Sequence, residues 1–255
     1  MKWLKILMKS ILGLSIGLYV LSPECFAELK FNTQDFAPFT YMENNSVKGP
    51  GVDVIKAVCN EMNAICSFHL LPWRRAQKEV EIGKAHAIFL IGWNKKRADW
   101  LYFSHPILKT EYGFFVKKNN PLNYKKMEDV KGFTVGVYGP SNTSRSLEKI
   151  KEKMSDLNID MKAKDETGFK KLAVNRVDAV YSNRDVGYNI MERLVLDNIR
   201  YAGAHEQLKY YIGFSKRYTD KQTVERFNAA FKKLHDQGVI QQILKGYNLE
   251  SSELE

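Results

Sequence analysis

The stretch GKAHAIFLIGWNKKRADWLYFSHPI, residues 83–107, sets an apolar run beside three consecutive cations. Residues 86–91 of this stretch carry no formal charge, and such runs are typical of strands buried on both faces of a sheet. The cations Lys95, Lys96 and Arg97 follow soon after that run. Their position suggests the hypothesis that one of them holds an anion at the end of the strand.

Outward from this strand, apolar segments alternate with helical patterns along the chain. Strands separated by helices predict a mainly parallel sheet, and two such sets predict two α/β lobes. The last helices carry Phe227, Ala230, Phe231 and Leu234 at helical spacing, which indicates core packing. The predicted strands are residues 29–36, 65–71, 86–91, 133–138, 159–163, 177–181 and 210–214, and the predicted helices are residues 52–62, 74–82, 144–157, 169–175, 188–194, 223–237 and 239–246.

Residues 1–27 show the three-part pattern of a secretory signal peptide, with a basic start, the apolar run 11–21 and a small-residue end. The apolar run is too short to cross a bilayer comfortably. We therefore expect export to the periplasm and cleavage after Ala27. Cys25 as a lipid-attachment site is disfavoured, because Glu24 stands where small or apolar residues are needed.

The net positive charge of the chain indicates which classes of ligand it favours. The net charge of +10 becomes +8 without residues 1–27, because that segment carries three lysines and one glutamate. No basic block is dense enough to favour nucleic acid, so an anionic small ligand is the better match. Two cysteines, Cys59 and Cys66, remain, and their spacing leaves both a disulfide and two buried thiols open.

The usual sequence patterns of catalysis and metal binding are missing. The five histidines show no ligand spacing, and no GxSxG, Walker or GxGxxG motif occurs, so we expect neither metal nor cofactor. The loop YGPSNTS, residues 138–144, places hydroxyls and amides before a predicted helix. It fits an anion-binding turn, or an ordinary helix cap made by Ser141 or Thr143.

The order of these motifs resembles family 3 of the periplasmic solute-binding proteins of amino-acid ABC transporters, which includes histidine- and lysine-arginine-ornithine-binding proteins. The resemblance covers nearly the whole chain after residue 27. It rests on seven segments in the family's order and near its spacing. These are DFAPFTY (35–41), GPGVDVIKAVCNEM (49–62), GKAHAIFLIG (83–92), KKRADWLYFSHPI (95–107), VKGFTVGVYGPSNTS (130–144), NRVDAVYSN (175–183) and YYIGFSK (210–216).

The resemblance implies the two-lobed α/β fold of type II periplasmic binding proteins, with a hinge between lobes that close on a ligand. We expect lobe one over residues 28–111 and 209–255, and lobe two over residues 112–208. Family members also carry a cysteine pair at the same helix-to-strand step, which implies a disulfide between Cys59 and Cys66.

The resemblance assigns ligand-binding roles in lobe one. Arg97 stands where the family has an arginine that grips the ligand's carboxylate, and the planar guanidinium fork pairs well with both oxygens. Phe36 and Trp73 match aromatic residues that flank the ligand. Gly92 and Trp93 stand in a segment that lacks the family's contacting serines and threonine, which predicts a more aromatic pocket.

In lobe two, the family's glycine-Thr-Thr turn matches residues 139–143, so Ser141, Asn142 and Thr143 are predicted ligand contacts. Pro140 removes one backbone donor from this turn. Asn183 stands where the family usually has an aspartate that pairs with an α-ammonium. A neutral amide cannot neutralise that charge, so the sequence leans toward another small carboxylate or a modified amino acid.

Together these features predict a monomeric exported protein that captures a small carboxylate-bearing ligand, an amino acid or a derivative, for an inner-membrane ABC permease. One alternative is a sensory or accessory binding protein that reports ligand to a membrane partner. Another is a dehydratase-like enzyme on the same fold, in which Glu111 or Asp185 acts as an acid or base.

Overall fold

The computed structural model describes residues 28–254, so the predicted signal peptide lies outside the described residues. Within that range, no helix combines the length and the apolar character that crossing a membrane requires. The first elements in chain order are β1 (Glu28–Thr33), β2 (Tyr41–Glu43), β3 (Ser46–Lys48), α1 (Pro50–Glu61), β4 (Ile65–Leu70), α2 (Trp73–Glu81), β5 (Ala87–Gly92), α3 (Lys95–Ala98), β6 (Leu101–Phe103) and β7 (Leu108–Lys117).

The remaining elements begin with a single 3-10 turn, Met127–Val130. They continue with β8 (Thr134–Tyr138), α4 (Asn142–Lys153), β9 (Asn158–Lys162), α5 (Asp165–Ala173), β10 (Ala179–Asn183), α6 (Arg184–Arg193), β11 (Ile199–Ser215), α7 (Lys221–Asp236), α8 (Val239–Lys245) and β12 (Glu250–Ser251).

Ten strands form one sheet in the order β4-β1-β5-β11-β7-β10-β8-β9, with β6 added to β11 and β12 to β7. Strand pairs are parallel at both ends of this order, where β1 pairs with β4 and β5, and β8 pairs with β9 and β10. In the middle, β7 and β11 are antiparallel to each other and to their neighbours. The sheet is therefore mixed, and the expected parallel order holds only within each half.

Strands β7 and β11 connect the two halves of the sheet. The 17-residue β11 pairs with β7 over residues 199–210 and with β5 over residues 210–214. The sequence predicted only that last part as a strand. The register of β11 shifts near Gly203, where φ is +141° and an added Cβ would lie 2.5 Å from the Tyr124 carbonyl oxygen. Such bulges bend a strand and raise its twist, which lets one long strand serve both halves.

Aromatic rings fill the core between the sheet and α7. The ring centroid of Phe31 on β1 lies 6.1 Å from that of Phe214 and 6.2 Å from that of Phe227. All four residues of the predicted apolar stripe on α7 are buried, which confirms their packing role. Each buried phenylalanine contributes about 1.5–3 kcal/mol relative to an exposed one, so this cluster fixes the first half of the sheet.

A disulfide joins Cys59, near the end of α1, to Cys66 on β4, and their Cα atoms lie 6.3 Å apart. The pairing implied by the resemblance is therefore present in the structure. Strand β4 is at the edge of the sheet, next to β1 alone. The disulfide thus ties an edge strand to the helix that covers the same half.

Removing the disulfide with Cys59→Ala/Cys66→Ala is expected to lower the free energy of unfolding by about 2–3 kcal/mol, because the crosslink closes a short loop in the unfolded chain. Urea denaturation followed by circular dichroism measures this difference. An unchanged midpoint and slope in the double variant would show that the crosslink contributes nothing to stability.

Candidate functional site

A small cavity of about 50 Å³ lies at the carboxyl ends of β1, β5, β8 and β10, between the two halves of the sheet. In α/β sheets, ligands bind outside the carboxyl ends of the strands. The cavity is lined by Gln34, Phe36, Trp73, Leu90, Gly92, Arg97, Tyr112, Tyr138, Ser141, Asn142, Thr143, Asp165, Asn183 and Tyr210.

Arg97 is buried, with only 7% of its surface exposed. Its backbone N–H donates to the Oδ1 atom of Asn94, which caps the short helix α3, at 2.9 Å. Its Nη1 atom donates to the Gly92 carbonyl oxygen at 2.7 Å, and its Nη2 atom donates to Gln77 at 3.4 Å. The guanidinium is therefore fixed by its own strand-to-helix turn before any ligand arrives.

The charge of Arg97 has no anionic partner among residues 28–254. Burial, together with the nearby cation Arg145, lowers the pKa of Arg97 to about 10, although the hydroxyls of Tyr112 and Tyr210 act in the opposite direction. None of these neighbours is a carboxylate. A buried guanidinium without a counterion is costly, and an anionic ligand would offset that cost.

Aromatic rings line the cavity beside this cation. Arg97 lies over the ring of Trp73, with 5.7 Å between the guanidinium carbon and the ring centroid. Phe36 packs against Tyr210 at 5.7 Å between ring centroids. Trp73 therefore supports the arginine through a cation-π contact, a role the sequence did not predict.

Trp93 stands apart from the lining of the cavity. It is 59% exposed and lies in an open groove of about 940 Å³ that continues outward from Arg97. Lys95 and Lys96 line the same groove and are exposed. These cations surround the mouth of the site and raise the local positive potential.

The loop at residues 138–144 forms a helix cap. The Ser141 hydroxyl accepts from the Ser144 N–H at 3.1 Å and donates to the Tyr138 carbonyl at 2.8 Å. Ser141 therefore makes the helix cap that the sequence allowed for this loop. Asn142 and Thr143 follow as the first two residues of α4, and amide N–H groups at these positions have no acceptor within a helix.

Asn142 also approaches the opposite half of the sheet, and Thr143 contacts the connecting strand β7. An added Cβ on Gly92 would lie 3.3 Å from the Asn142 Nδ2 atom, so the missing side chain at Gly92 allows a close approach. Thr143 hydrogen-bonds the hydroxyl of Tyr112. The start of α4 therefore lies next to the turn that carries Arg97.

The side chain of Asn183 is occupied by hydrogen bonds within the protein. Its Oδ1 atom accepts from the N–H groups of Asp185 at 2.9 Å and Val186 at 3.1 Å, which caps α6. Its Nδ2 atom donates to Thr110 at 3.0 Å and to the Tyr210 hydroxyl at 3.3 Å. Asn183 lines the cavity, but these bonds use both donors and both acceptor positions of its amide.

Asp165 is a carboxylate in the cavity that sequence reasoning missed. It begins α5 and accepts from the Ser182 hydroxyl at 3.1 Å. Burial raises its pKa to about 7, and the Ser182 hydrogen bond opposes this only in part. The predicted helix began at residue 169, so the sequence placed Asp165 in a lysine-rich loop and gave no signal of burial.

The two residues proposed as acid or base for an enzyme lie outside the lining of the cavity. Glu111 accepts from the Tyr201 hydroxyl at 3.0 Å and from Arg184. Asp185 accepts from Thr110 at 2.6 Å. Both carboxylates sit where β7 meets its neighbours. In the part of the chain that the structure describes, no group of three or more acidic, histidine or cysteine residues could hold a metal ion.

The sequence profile of bacterial extracellular solute-binding proteins, family 3, matches residues 30–250. The chain belongs to this family. A curated relative, the probable amino-acid-binding protein YxeM of Bacillus subtilis (strain 168), is 27% identical over 214 residues, which cover 82% of this chain and 79% of the relative. The arginine-binding periplasmic protein of Mannheimia haemolytica is 24% identical over 214 residues, covering 82% and 85% of the two chains.

Solved structures show the same fold. A histidine kinase sensor domain with similarity to periplasmic binding proteins gives a TM-score of 0.77 at 18% identity, covering 88% of this chain and 98% of that chain. An ancestral arginine-binding protein bound to arginine gives a TM-score of 0.74 at 21% identity, covering 86% and 97%. The expected type II periplasmic-binding-protein fold is therefore confirmed.

The raised pKa of Asp165 predicts a pH dependence of stability without ligand. The unfolded chain ionises this carboxyl near pH 4 and the folded chain near pH 7, so stability should fall as pH rises between these values. Asp165→Asn removes the penalty and should raise the free energy of unfolding by about 1–4 kcal/mol at pH 8, with no gain at pH 4.

Urea denaturation at both pH values measures the effect. The control is Glu166→Gln, which removes the neighbouring carboxylate that pairs with Arg193 at the surface, and it should change stability by less than about 1 kcal/mol. Equal effects of the two substitutions at pH 8 would contradict the burial of an ionised Asp165.

Proposed function

We propose that the protein is an exported solute-binding protein that captures a small carboxylate-bearing ligand, an amino acid or a derivative, between two lobes. The observation that carries this proposal is the buried guanidinium of Arg97, which lines the cavity without an anionic partner among residues 28–254. A ligand carboxylate would accept hydrogen bonds from the guanidinium and neutralise it.

The lobes we propose are residues 28–111 with 209–255, and residues 112–208. Strands β7 and β11 pass between these two segments, and their antiparallel pairing supports a hinge of two crossing strands. Lobe one would supply Arg97, Phe36, Trp73 and Gly92 to the ligand. Lobe two would supply the amides of Asn142 and Thr143, which suit an anion at a helix N-terminus.

The relatives support an amino-acid-like ligand and a location outside the cytoplasm. One curated relative is named an amino-acid-binding protein and the other an arginine-binding periplasmic protein. We propose that residues 1–27 direct export and are removed, and that the mature protein works in the periplasm as a monomer. Its partner would be an inner-membrane ABC permease that reads lobe closure.

A sensory role is the second candidate function, because the chain covers 98% of a histidine kinase sensor domain of the same fold. In that role the closed form would signal to a membrane partner without transport. Uptake of radiolabelled ligand, compared between wild-type cells and cells that lack the gene, separates the two roles. Loss of uptake without the gene indicates transport, and unchanged uptake indicates sensing. Catalysis gains no support from the site, because Glu111 and Asp185 do not line the cavity.

Arg97→Met is expected to weaken ligand binding about 100-fold to 10,000-fold, because it removes one partner of a buried charge pair worth about 3–5 kcal/mol. The ligand is found first by thermal shift with a panel of amino acids and organic acids. A ligand at a hundred times its dissociation constant should stabilise the protein by about 2.7 kcal/mol. Isothermal titration calorimetry then gives the affinity of each variant.

Lys96→Ala is the matched control, since Lys96 is an exposed cation on the same short helix. It should change affinity by less than about tenfold. Arg97→Lys keeps the charge but loses the planar fork, and it should still weaken binding by at least about tenfold. An unchanged affinity in folded Arg97→Met would refute the role of Arg97.

A further inference from the structure

In the second half of the sheet, formed by β10, β8 and β9, the cavity reaches both faces of the sheet. Consecutive residues on a strand point to opposite faces. On β10, the Tyr181 hydroxyl hydrogen-bonds Ser146 of α4 at 2.9 Å, whereas the next residue, Ser182, donates to Asp165 of α5 at 3.1 Å. Helices α4 and α5 therefore cover opposite faces, and the cavity passes over the strand ends between them.

The two charged groups that line the cavity, Arg97 and Asp165, lie on different faces of the sheet. Arg97 is on the α4 side, where Arg145 of that helix perturbs its pKa. Asp165 is on the α5 side. Neither Arg97 nor Asp165 contributes to the pKa shift of the other, so the two groups do not form a direct ion pair. A ligand that fills the cavity would face a cation at one end and a carboxyl group at the other.

Most cations on the elements around Asp165 contact other groups, and the adjacent Lys164 is exposed. Lys162 on β9 and Lys171 on α5 pair with Asp160. On α6, Arg193 pairs with Glu166, which also lies near Lys170, and Lys117 on β7 donates to the Ala173 carbonyl. On β8, the titratable group near Asp165 is the Tyr138 hydroxyl, whose pKa is raised by burial and by Asp165. No basic residue within residues 28–254 forms an ion pair with Asp165.

We propose that Asp165 binds a cationic group of the ligand, and that the ligand class is a carboxylate with a cation at its far end. This rests on the proposed function, since it takes Arg97 as the carboxylate site. Because Arg97 and Asp165 approach the cavity from different faces of the sheet and do not pair with each other, their arrangement favours a cation separated from the carboxylate over an α-ammonium beside it. Asn183 stands where the family usually has the aspartate that pairs with an α-ammonium. Its amide is hydrogen-bonded within the protein and supplies no charge.

The test compares two pairs of probes that differ mainly in the distal charge, arginine with citrulline and lysine with norleucine. Calorimetry with the wild-type mature protein should show that the cationic member of at least one pair binds at least about tenfold more tightly than its neutral partner. Asp165→Asn, which keeps an acceptor for Ser182, should reduce that preference to less than about threefold. Glu166→Gln should leave it unchanged.

A second readout is the pH dependence of affinity. Because the free carboxyl of Asp165 titrates near pH 7, the affinity for the cationic probe should rise about tenfold from pH 6 to pH 8. The affinity for the neutral probe should stay flat over this range, and Asp165→Asn should remove the rise. A purely structural Asp165 would change stability without producing this split between probes.

The outcomes separate this inference from the proposed function. If Asp165→Asn keeps the wild-type preference for the cationic probe, the assignment of Asp165 is overturned while Arg97 keeps its role. Binding of neither probe pair would also overturn the distal-cation ligand class. In that case the wider acid panel, with Arg97→Met, still decides whether the protein binds a carboxylate.

Discussion

The buried guanidinium of Arg97 is the constraint on which this site depends. Moving an ion out of water costs several kcal/mol, and the protein offers Arg97 only a carbonyl, a side-chain amide and an aromatic ring in return. These contacts orient the charge but leave it unneutralised. Binding of an anionic ligand at Arg97, as we propose, would relieve this cost and so contribute to affinity.

The two strands that join the halves of the sheet separate the buried cation from the amides we propose as its partners in ligand binding. Arg97 belongs to the first half, while the amides of α4 belong to the second, and β7 and β11 pass between them. Near this crossing, Asn183 bonds Thr110 on β7 and Tyr210 on β11. The position where the family usually carries a charged ligand contact is thus used to join three strands. In the proposed ligand site, recognition of a cation falls to a different element, the start of α5.

Much of the fold could be predicted from the sequence, because it rests on local patterns. The charge-free run of β5 and the stripe on α7 report their structure through composition or spacing, whereas the pairing of Cys59 with Cys66 was implied by the resemblance to the family. The first part of β11 could not be found this way, since residues 199–209 mix polar and apolar side chains and owe their extended form to pairing with β7. Tertiary pairing overrode local propensity there.

The residues of the site likewise differ in how far they could be predicted from the sequence. Arg97 follows from a motif, because the residue type and its place after a buried strand are both visible in the sequence. Asp165 does not, because its place in the cavity depends on the fold, which brings Ser182 into contact with it from 17 positions away along the chain. The occupied amide of Asn183 was equally hidden, since its partners lie 27 and 73 positions away along the chain.

The most direct test of this account is a crystal structure of the mature protein with the ligand identified by thermal shift. The account predicts a ligand carboxylate within hydrogen-bonding distance of the Arg97 guanidinium, enclosed between the lobes. A ligand bound elsewhere, or bound in the cavity with no anionic group near Arg97, would contradict it.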